Sequence, residues 1–279
     1  MTEGCTGQLA ANAGRCRELL TEQAAAQIAA FLVKQQNADG GFRGRGSASD
    51  LYYTHFALEA LAALGRSIPL IEELRVFLVR CAHNDDVDLP HLACLLRCWR
   101  AIGNDPPREL LDRVEQYRAP DGGYHWRKGA PTASPSACYL AVLAYEAAGM
   151  PLPNCDRVIH SLHSAPLTNT PTVAALSVLL THLEGGASGF LANWLMARAA
   201  KTGGFAPSPR VQVPDLLSTA TALHALKVSE QPLGLVRQAS LEFVRGLWME
   251  NGGFRGTSED RTADCEYTYY ALLALGCLA

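Results

Sequence analysis

Three stretches of this 279-residue sequence combine residue types that can do chemistry. DDVDLPH (85–91) places Asp86 and Asp88 ahead of His91, and ADCEYTYY (263–270) places Asp264 and Cys265 ahead of three tyrosines. In HLACLLRC, His91, Cys94 and Cys98 fall at i, i+3 and i+7, so they share one helix face and form a donor set that zinc accepts. Cys94 and Cys98 are separated by a rise of about 6 Å, too far along one helix for three ligands to meet on one ion, and that face reads as packing. Paired carboxylates offer a second chemistry. A glycosidase needs two acids about 5 to 10 Å apart across a cleft, and Asp50, Asp88, Asp215, Asp264, Glu259 and Asp260 are the acids available for it. Such a cleft also calls for exposed tryptophans, and of Trp99, Trp126, Trp194 and Trp248 only Trp126 falls in a loop.

The bulk composition narrows the classes. A formal charge of −3 and 48% hydrophobic residues leave no basic footprint for nucleic acid. The N-terminal stretch lacks a basic start followed by an apolar run, and no segment approaches the roughly 18 apolar residues that span a bilayer. The expected location is cytoplasmic. Nine cysteines without a Cys-x-x-Cys pair read as small core residues, not a disulfide framework.

Something must position these residues, and the sequence repeats in a way that shows what. A small polar residue stands fifteen positions before a helix end six times: Asp50, Asp88, Ser134, Thr170, Asp215 and Asp264, ending at Gly65, Gly103, Gly149, Gly185, Glu230 and Ala279. Asp, Ser and Thr cap helix starts, and glycine takes the left-handed conformation at helix stops. Pro135 and Pro171 follow their starters directly, where a helix loses nothing by lacking an N–H. The helices so begun, such as FALEALAALG and TVAALSVLLTHL, are apolar nearly all round, whereas those preceding them, such as LIEELRVFLVRCAH, have one wet face. Six such pairs with no strand signal predict an all-α fold: an inner ring of buried helices within an outer ring. The expected architecture is a closed α6/α6 barrel in a single domain over 1–279, with residues 1–20 as an N-terminal extension. In that extension GCTGQ (4–8) has the Cys-to-Gln spacing of the internal thioester of complement-type proteins, at an end expected to be mobile.

Four double-glycine turns, DGGF (39–42), DGGY (121–124), TGGF (202–205) and NGGF (251–254), punctuate the pairs. With Phe31, Leu32, Gln36, Gly40 and Phe42 in FLVKQQNADGGF, they resemble the repeat shared by protein prenyltransferase β subunits and by squalene and oxidosqualene cyclases, with Phe in place of the cyclases' Trp. The resemblance covers residues 24–279 and implies an α/α toroid whose inner helices begin at the rim of an apolar cavity that holds an isoprenoid. It implies a substrate-binding wall of Tyr52, Tyr53, Phe56, Tyr139, Tyr267 and Tyr269, with Asp215 beside it.

The prenyltransferases' zinc site resembles this chain only at Asp215: Leu217 stands in the cysteine position and Tyr267 in the histidine position. Their diphosphate clamp is reduced to Thr170 and Arg210. The expectation is therefore no metal and no cofactor, with magnesium only if a diphosphate is bound. The cyclases open with a carboxylic acid that protonates an alkene or epoxide and is tuned by its neighbours. Asp264 with Cys265 resembles the start of the oxidosqualene cyclase motif, and Asp86 with Asp88 resembles the bacterial Asp-x-Asp-Asp motif. The resemblance implies Asp264 as first acid and Asp88 as second, with Cys265 and His91 tuning them. Three readings stay open: an acid-initiated terpenoid cyclase, a prenyl transferase lacking the usual zinc, and a non-catalytic isoprenoid-binding scaffold, with room for a second subunit in each.

Overall fold

Asp50, Asp88, Asp215 and Asp264 each accept a backbone N–H from the first turn of a buried helix, which fixes where those helices begin. In the computed structural model, which describes residues 4–279, these are inner helices α3 (Leu51–Ala63), α5 (Leu89–Ala101), α11 (Leu216–Val228) and α13 (Cys265–Leu278). Two more inner helices are α7 (Pro135–Ala147) and α9 (Thr170–Glu184). Two starters differ from the sequence reading. Ser134 sits at the cap of α7 without a side-chain bond, and α9 is capped by Asn169, whose side chain accepts from Thr172 N–H. Thr170 is instead the first helical residue and donates its hydroxyl to the Ala206 carbonyl. With the Thr170 hydroxyl committed to the Ala206 carbonyl, the Asn169 amide oxygen is the acceptor that meets the Thr172 N–H.

The inner helices contact one another in chain order, and α13 returns to α3, closing the ring. Around it stand α2 (Glu22–Val33), α4 (Ile71–Ala82), α6 (Glu109–Glu115), α8 (Cys155–His163), α10 (Gly189–Met196) and α12 (Gly234–Gly246). Short bridges are the only β pairing among the described residues. The fold is the expected all-α barrel of six hairpins.

The double-glycine turns are the clips between neighbours. Their first glycines have positive φ, and a Cβ on Gly40 would lie 2.0 Å from the Leu74 nitrogen of α4. On Gly252 it would lie 2.5 Å from the Gln27 carbonyl of α2, so the last turn clips onto the first outer helix and shuts the outer ring. The aromatic after each pair is wholly buried, and the backbone N–H of Phe42, Phe205 and Phe254 donates to Thr54, Thr219 and Thr268 on the inner helices. Tyr124 uses Cys138 in the same place. Gln36 completes the first clip by donating to the Pro69 carbonyl at 2.8 Å, just ahead of α4.

The N-terminal segment is not a loose extension. Cys5–Gly14 forms α1, which packs on α3, α7, α9, α11 and α13 and lies across the end of the barrel away from the caps. Gly276 permits the approach: a Cβ there would stand 1.8 Å from the Asn12 carbonyl. Cys5, the cysteine of GCTGQ, is fully buried at the start of this helix. Its apolar face finds a seat, and this outweighs the tendency of chain ends to fray.

Gly252→Ala is expected to cost about 1–3 kcal/mol, because the new methyl group meets backbone, not a movable side chain. Chemical denaturation measures it, with Gly46→Ala as the control, since nothing lies within 4 Å of a Cβ there. Equal stability of the two variants would show that the clip does not hold the ring shut.

Candidate functional site

Because all six inner helices start at one rim, equal positions along them form layers. The second residues are Tyr52, Pro90, Ser136, Pro171, Leu217 and Glu266; the fifth and sixth include His55, Phe56, Cys94, Tyr139, Tyr269 and Tyr270; the ninth include Arg97, Leu143, Val178, His224 and Leu273. Apart from Glu266, every one of these lines a single central cavity of about 280 Å³, and Leu9 of α1 forms its floor. The lining is mainly hydrocarbon and aromatic. From the second to the ninth residue the helices rise about 10 Å, which sets its depth. Trp126, from the loop before α7, joins the mouth.

Of the residues expected from the sequence, Tyr52, Phe56, Tyr139 and Tyr269 line this cavity together. Tyr52 stacks edge-on against Phe56 at 4.8 Å, and Phe56 lies 5.6 Å from Tyr269. Tyr53 and Tyr267 are not part of the lining. One residue further along the helix turns a side chain by about 100°, and their rings pack instead over Gly44 and Gly256 in the rim loops. Asp215 commits its carboxylate to the Ser218 N–H at 2.7 Å and the Ser218 hydroxyl at 2.9 Å, outside the cavity. Asp88 and His91 form a hydrogen-bonded pair at 2.6 Å on the wet side of the mouth, with side chains 54% and 37% exposed.

Asp264 is buried behind the wall. It caps α13 through Tyr267 N–H and accepts from Arg45 Nε at 3.0 Å, while Arg45 also binds Asp260. Burial raises its carboxyl from the ordinary value, and Tyr267 N–H and Arg45 pull it back. Cys265 is sealed in beside it, with its thiol pushed up by desolvation and its sulfur near the Arg43 carbonyl. Neither residue faces the cavity.

Glu266 fills the sixth place in the mouth layer and is not among the candidates the sequence singled out. Tyr52 donates its hydroxyl to Glu266 Oε1 at 2.7 Å. Burial holds the Glu266 carboxyl above its ordinary value; the Tyr52 bond lowers it and the neighbouring Asp264 charge raises it. The available signal was register, since Glu266 is the second helical residue, as Tyr52 is. Arg97, His55 and His224 were also missed, because a polar residue inside an apolar run carries no mark of which way it points.

One further donor trio, Cys5, Glu146 and His182, lies where α1 meets α7 and α9, with ligand atoms within 4.8 Å of one another. Glu146 accepts the N–H groups of Cys5 and Thr6 at 2.9 and 2.7 Å, the ordinary duty of an acid at a helix N-terminus.

His224 is fully buried, and desolvation lowers its pKa to about 4 from an ordinary value of 6.5. Between those values the unfolded chain binds a proton that the folded chain refuses, so stability falls as pH drops from about 6.5 toward 4. Its Nδ1 meets the Asn12 amide at 3.0 Å, linking this titration to α1. His224→Gln should flatten the slope of stability against pH in that window, measured by denaturation at half-unit steps. An unchanged slope would exclude His224 as its source.

Comparisons with known proteins agree with this geometry. The type II terpene cyclase MstE from Scytonema superposes with a TM-score of 0.64 at 13% identity in its complex with geranylgeranyl dihydroxybenzoate, described as substrate, covering 95% of this chain and 97% of that one. Its complex with merosterolic acid A, described as product, gives 0.66 at 13% identity with the same coverage. A protein from Actinoplanes gives 0.58 at 15% identity, covering 92% and 98%. At these identities the likeness concerns the fold. No curated protein matches the sequence. The prenyltransferase alpha-alpha toroid domain matches residues 11–91 and 156–279, most of the length, and the chain belongs to that family.

Proposed function

We propose that this protein is a terpenoid cyclase that folds an isoprenoid chain within the barrel and starts ring closure by protonation from Glu266. The observation that carries this is a desolvated carboxyl, its proton affinity raised by burial, hydrogen-bonded to a tyrosine of an aromatic, apolar cavity wall. MstE, which shares the fold, is a type II terpene cyclase solved with an isoprenoid substrate and with its product.

The step follows from the groups present. Glu266 gives its proton to one carbon of an alkene, and the π electrons form the new C–H bond. The cation left on the adjacent carbon is taken up by the next alkene, whose electrons close a ring. Loss of a proton from the final cation to the Glu266 carboxylate restores the acid, so the net change is an isomerisation. The aromatic rings of Tyr52, Phe56, Tyr269 and Tyr270 line the path and supply the π density that stabilises positive charge along the way. The hydrocarbon and aromatic lining offers few anchors for a water that would capture the cation. We assign the acid to Glu266 over Asp264, because Asp264 is held in an ion pair with Arg45, whereas Glu266, just behind the lining, is bonded to Tyr52, which is part of it. Its charge instead raises the proton affinity of Glu266. Asp88, with His91, stays in water at the mouth, where it can guide chain admission.

The volume sets the size class. At about 280 Å³ the cavity is near the lower bound of the roughly 300–1,000 Å³ typical of small-molecule sites, which suits a short isoprenoid better than a triterpene. A diphosphate would need cations at the mouth, and Arg45 there is already engaged by Asp260 and Asp264. This weighs against the transferase reading and the magnesium it would bring.

Glu266→Gln keeps an acceptor for Tyr52 and removes the proton, so product formation should fall by about 10²–10⁴-fold with folding intact. In the unaltered protein, turnover should decline as pH rises through the elevated Glu266 value. Gas chromatography of products across pH, for both proteins, checks the pair. Full activity in the Gln variant would refute the assignment.

A further inference from the structure

Below the mouth, the apolar cavity acquires a polar patch that the cyclisation step leaves unused. Arg97 of α5 is 8% exposed and lines the cavity, with one guanidinium nitrogen on Glu59 Oε1 at 3.1 Å and its Nε without a partner. Tyr139 on α7 and Tyr269 on α13 line it from opposite walls; the Tyr139 hydroxyl has no partner, and the Tyr269 hydroxyl turns toward the Arg97 guanidinium. Arg97 interacts electrostatically with both tyrosines, and they with each other, so the three converge. Buried polar groups in folded proteins nearly always find a hydrogen-bond partner. Unmet polar atoms on Arg97, Tyr139 and His224, all residues that line one cavity, point to a group the ligand brings.

The inventory of the patch identifies that group. A guanidinium only donates, and a tyrosine hydroxyl carries a donor to spend, so the ligand must supply an acceptor. His224 agrees: the Asn12 amide occupies its Nδ1, which leaves Nε2 as the protonated nitrogen on the cavity wall. Charge then separates the acceptors. Glu59 neutralises Arg97, and burial together with the Arg97 charge keeps His55 neutral, so the patch has no surplus positive charge for a carboxylate or diphosphate.

We propose that Arg97, Tyr139 and Tyr269 form a subsite for an uncharged oxygen, a hydroxyl or carbonyl, carried by the isoprenoid. This rests on the reading of the cavity as an isoprenoid site and adds the substrate's chemical class and direction. Arg97 lies seven residues below the level of Glu266, about 10 Å. The oxygenated end therefore enters first, and the far alkene is left beside the acid.

Isothermal calorimetry with three probes of equal chain length, farnesol, farnesene and farnesoic acid, tests the proposal on the full chain and on a Tyr139→Phe/Tyr269→Phe variant. Farnesol should bind the unaltered protein at least about tenfold more tightly than farnesene, as one good hydrogen bond to a buried donor allows. The double variant should lose that preference and bind farnesol and farnesene alike. Its melting temperature should change little, because Phe keeps both rings and the Tyr139 hydroxyl that is removed has no partner. Equal binding of farnesol and farnesene, or a preference that survives in the variant, would overturn the subsite. Tighter binding of farnesoic acid than of farnesol at neutral pH would overturn its assignment to an uncharged oxygen. Failure of farnesol and farnesene alike to bind would refute the isoprenoid reading, a result distinct from equal binding of the two.

Discussion

The shared starting line of the six inner helices is the constraint on which the rest depends. Caps at Asp50, Asp88, Ser134, Asn169, Asp215 and Asp264 begin the helices at one rim, and the glycine turns hold neighbouring hairpins at fixed height. With a common start, a periodicity of 3.6 residues converts six separate sequences into three stacked rings of wall residues. A slip of one residue in any inner helix would turn its wall positions by about 100° and present its neighbours to the cavity. This is why the clips are built on backbone contacts that only glycine allows and on bonds from buried N–H groups to Thr54, Thr219 and Thr268. Each clip also buries an aromatic ring, so register and hydrophobic burial are secured by the same few residues.

The two ends of the cavity then acquire opposite characters. At the mouth, burial raises the proton affinity of Glu266, and the fixed negative charge of Asp264 adds to it. Deeper in, Arg97 is held as a cation by Glu59, and His55 in the middle layer and His224 at the floor are kept neutral by desolvation. A cation generated at the mouth therefore lies near carboxylates and aromatic faces, away from the guanidinium. The helix α1 supplies the base on which this polarity rests. Leu9 closes the floor and Asn12 orients His224, so a segment outside the six repeats sets the chemistry at the deep end.

The architecture was legible in the sequence because it is written in periodic, local signals. Caps, stop glycines and apolar runs fix helices whatever lies across the barrel, and six repetitions made the register firm. Even so, the fourth repeat was read one residue late: Thr170 and Asn169 are both capping types, and only the backbone shows which accepts the N–H. The site was less legible. Tyr52 and Phe56 were readable from their place just inside a cap, but Tyr53 and Tyr267 were grouped with them because adjacent aromatics look alike until the helix phase is counted. Asp264 drew attention through its motif, although Arg45, the residue that binds it, lies 219 positions away in the chain. Glu266 gained its desolvation and its Tyr52 partner only when the last helix closed on the first, and no local pattern announces a contact across that seam. The role of α1 was hidden for the same reason, since its partners are five helices spread over the whole sequence.

The central claim is that a carboxyl at the mouth donates the proton that begins cyclisation. Incubating the protein with farnesol in deuterated water and recording the product mass tests it most directly. A cyclic isomer carrying one deuterium on the carbon that receives the proton is the predicted result. Recovery of unchanged farnesol, or of a cyclic product free of deuterium, would contradict the account.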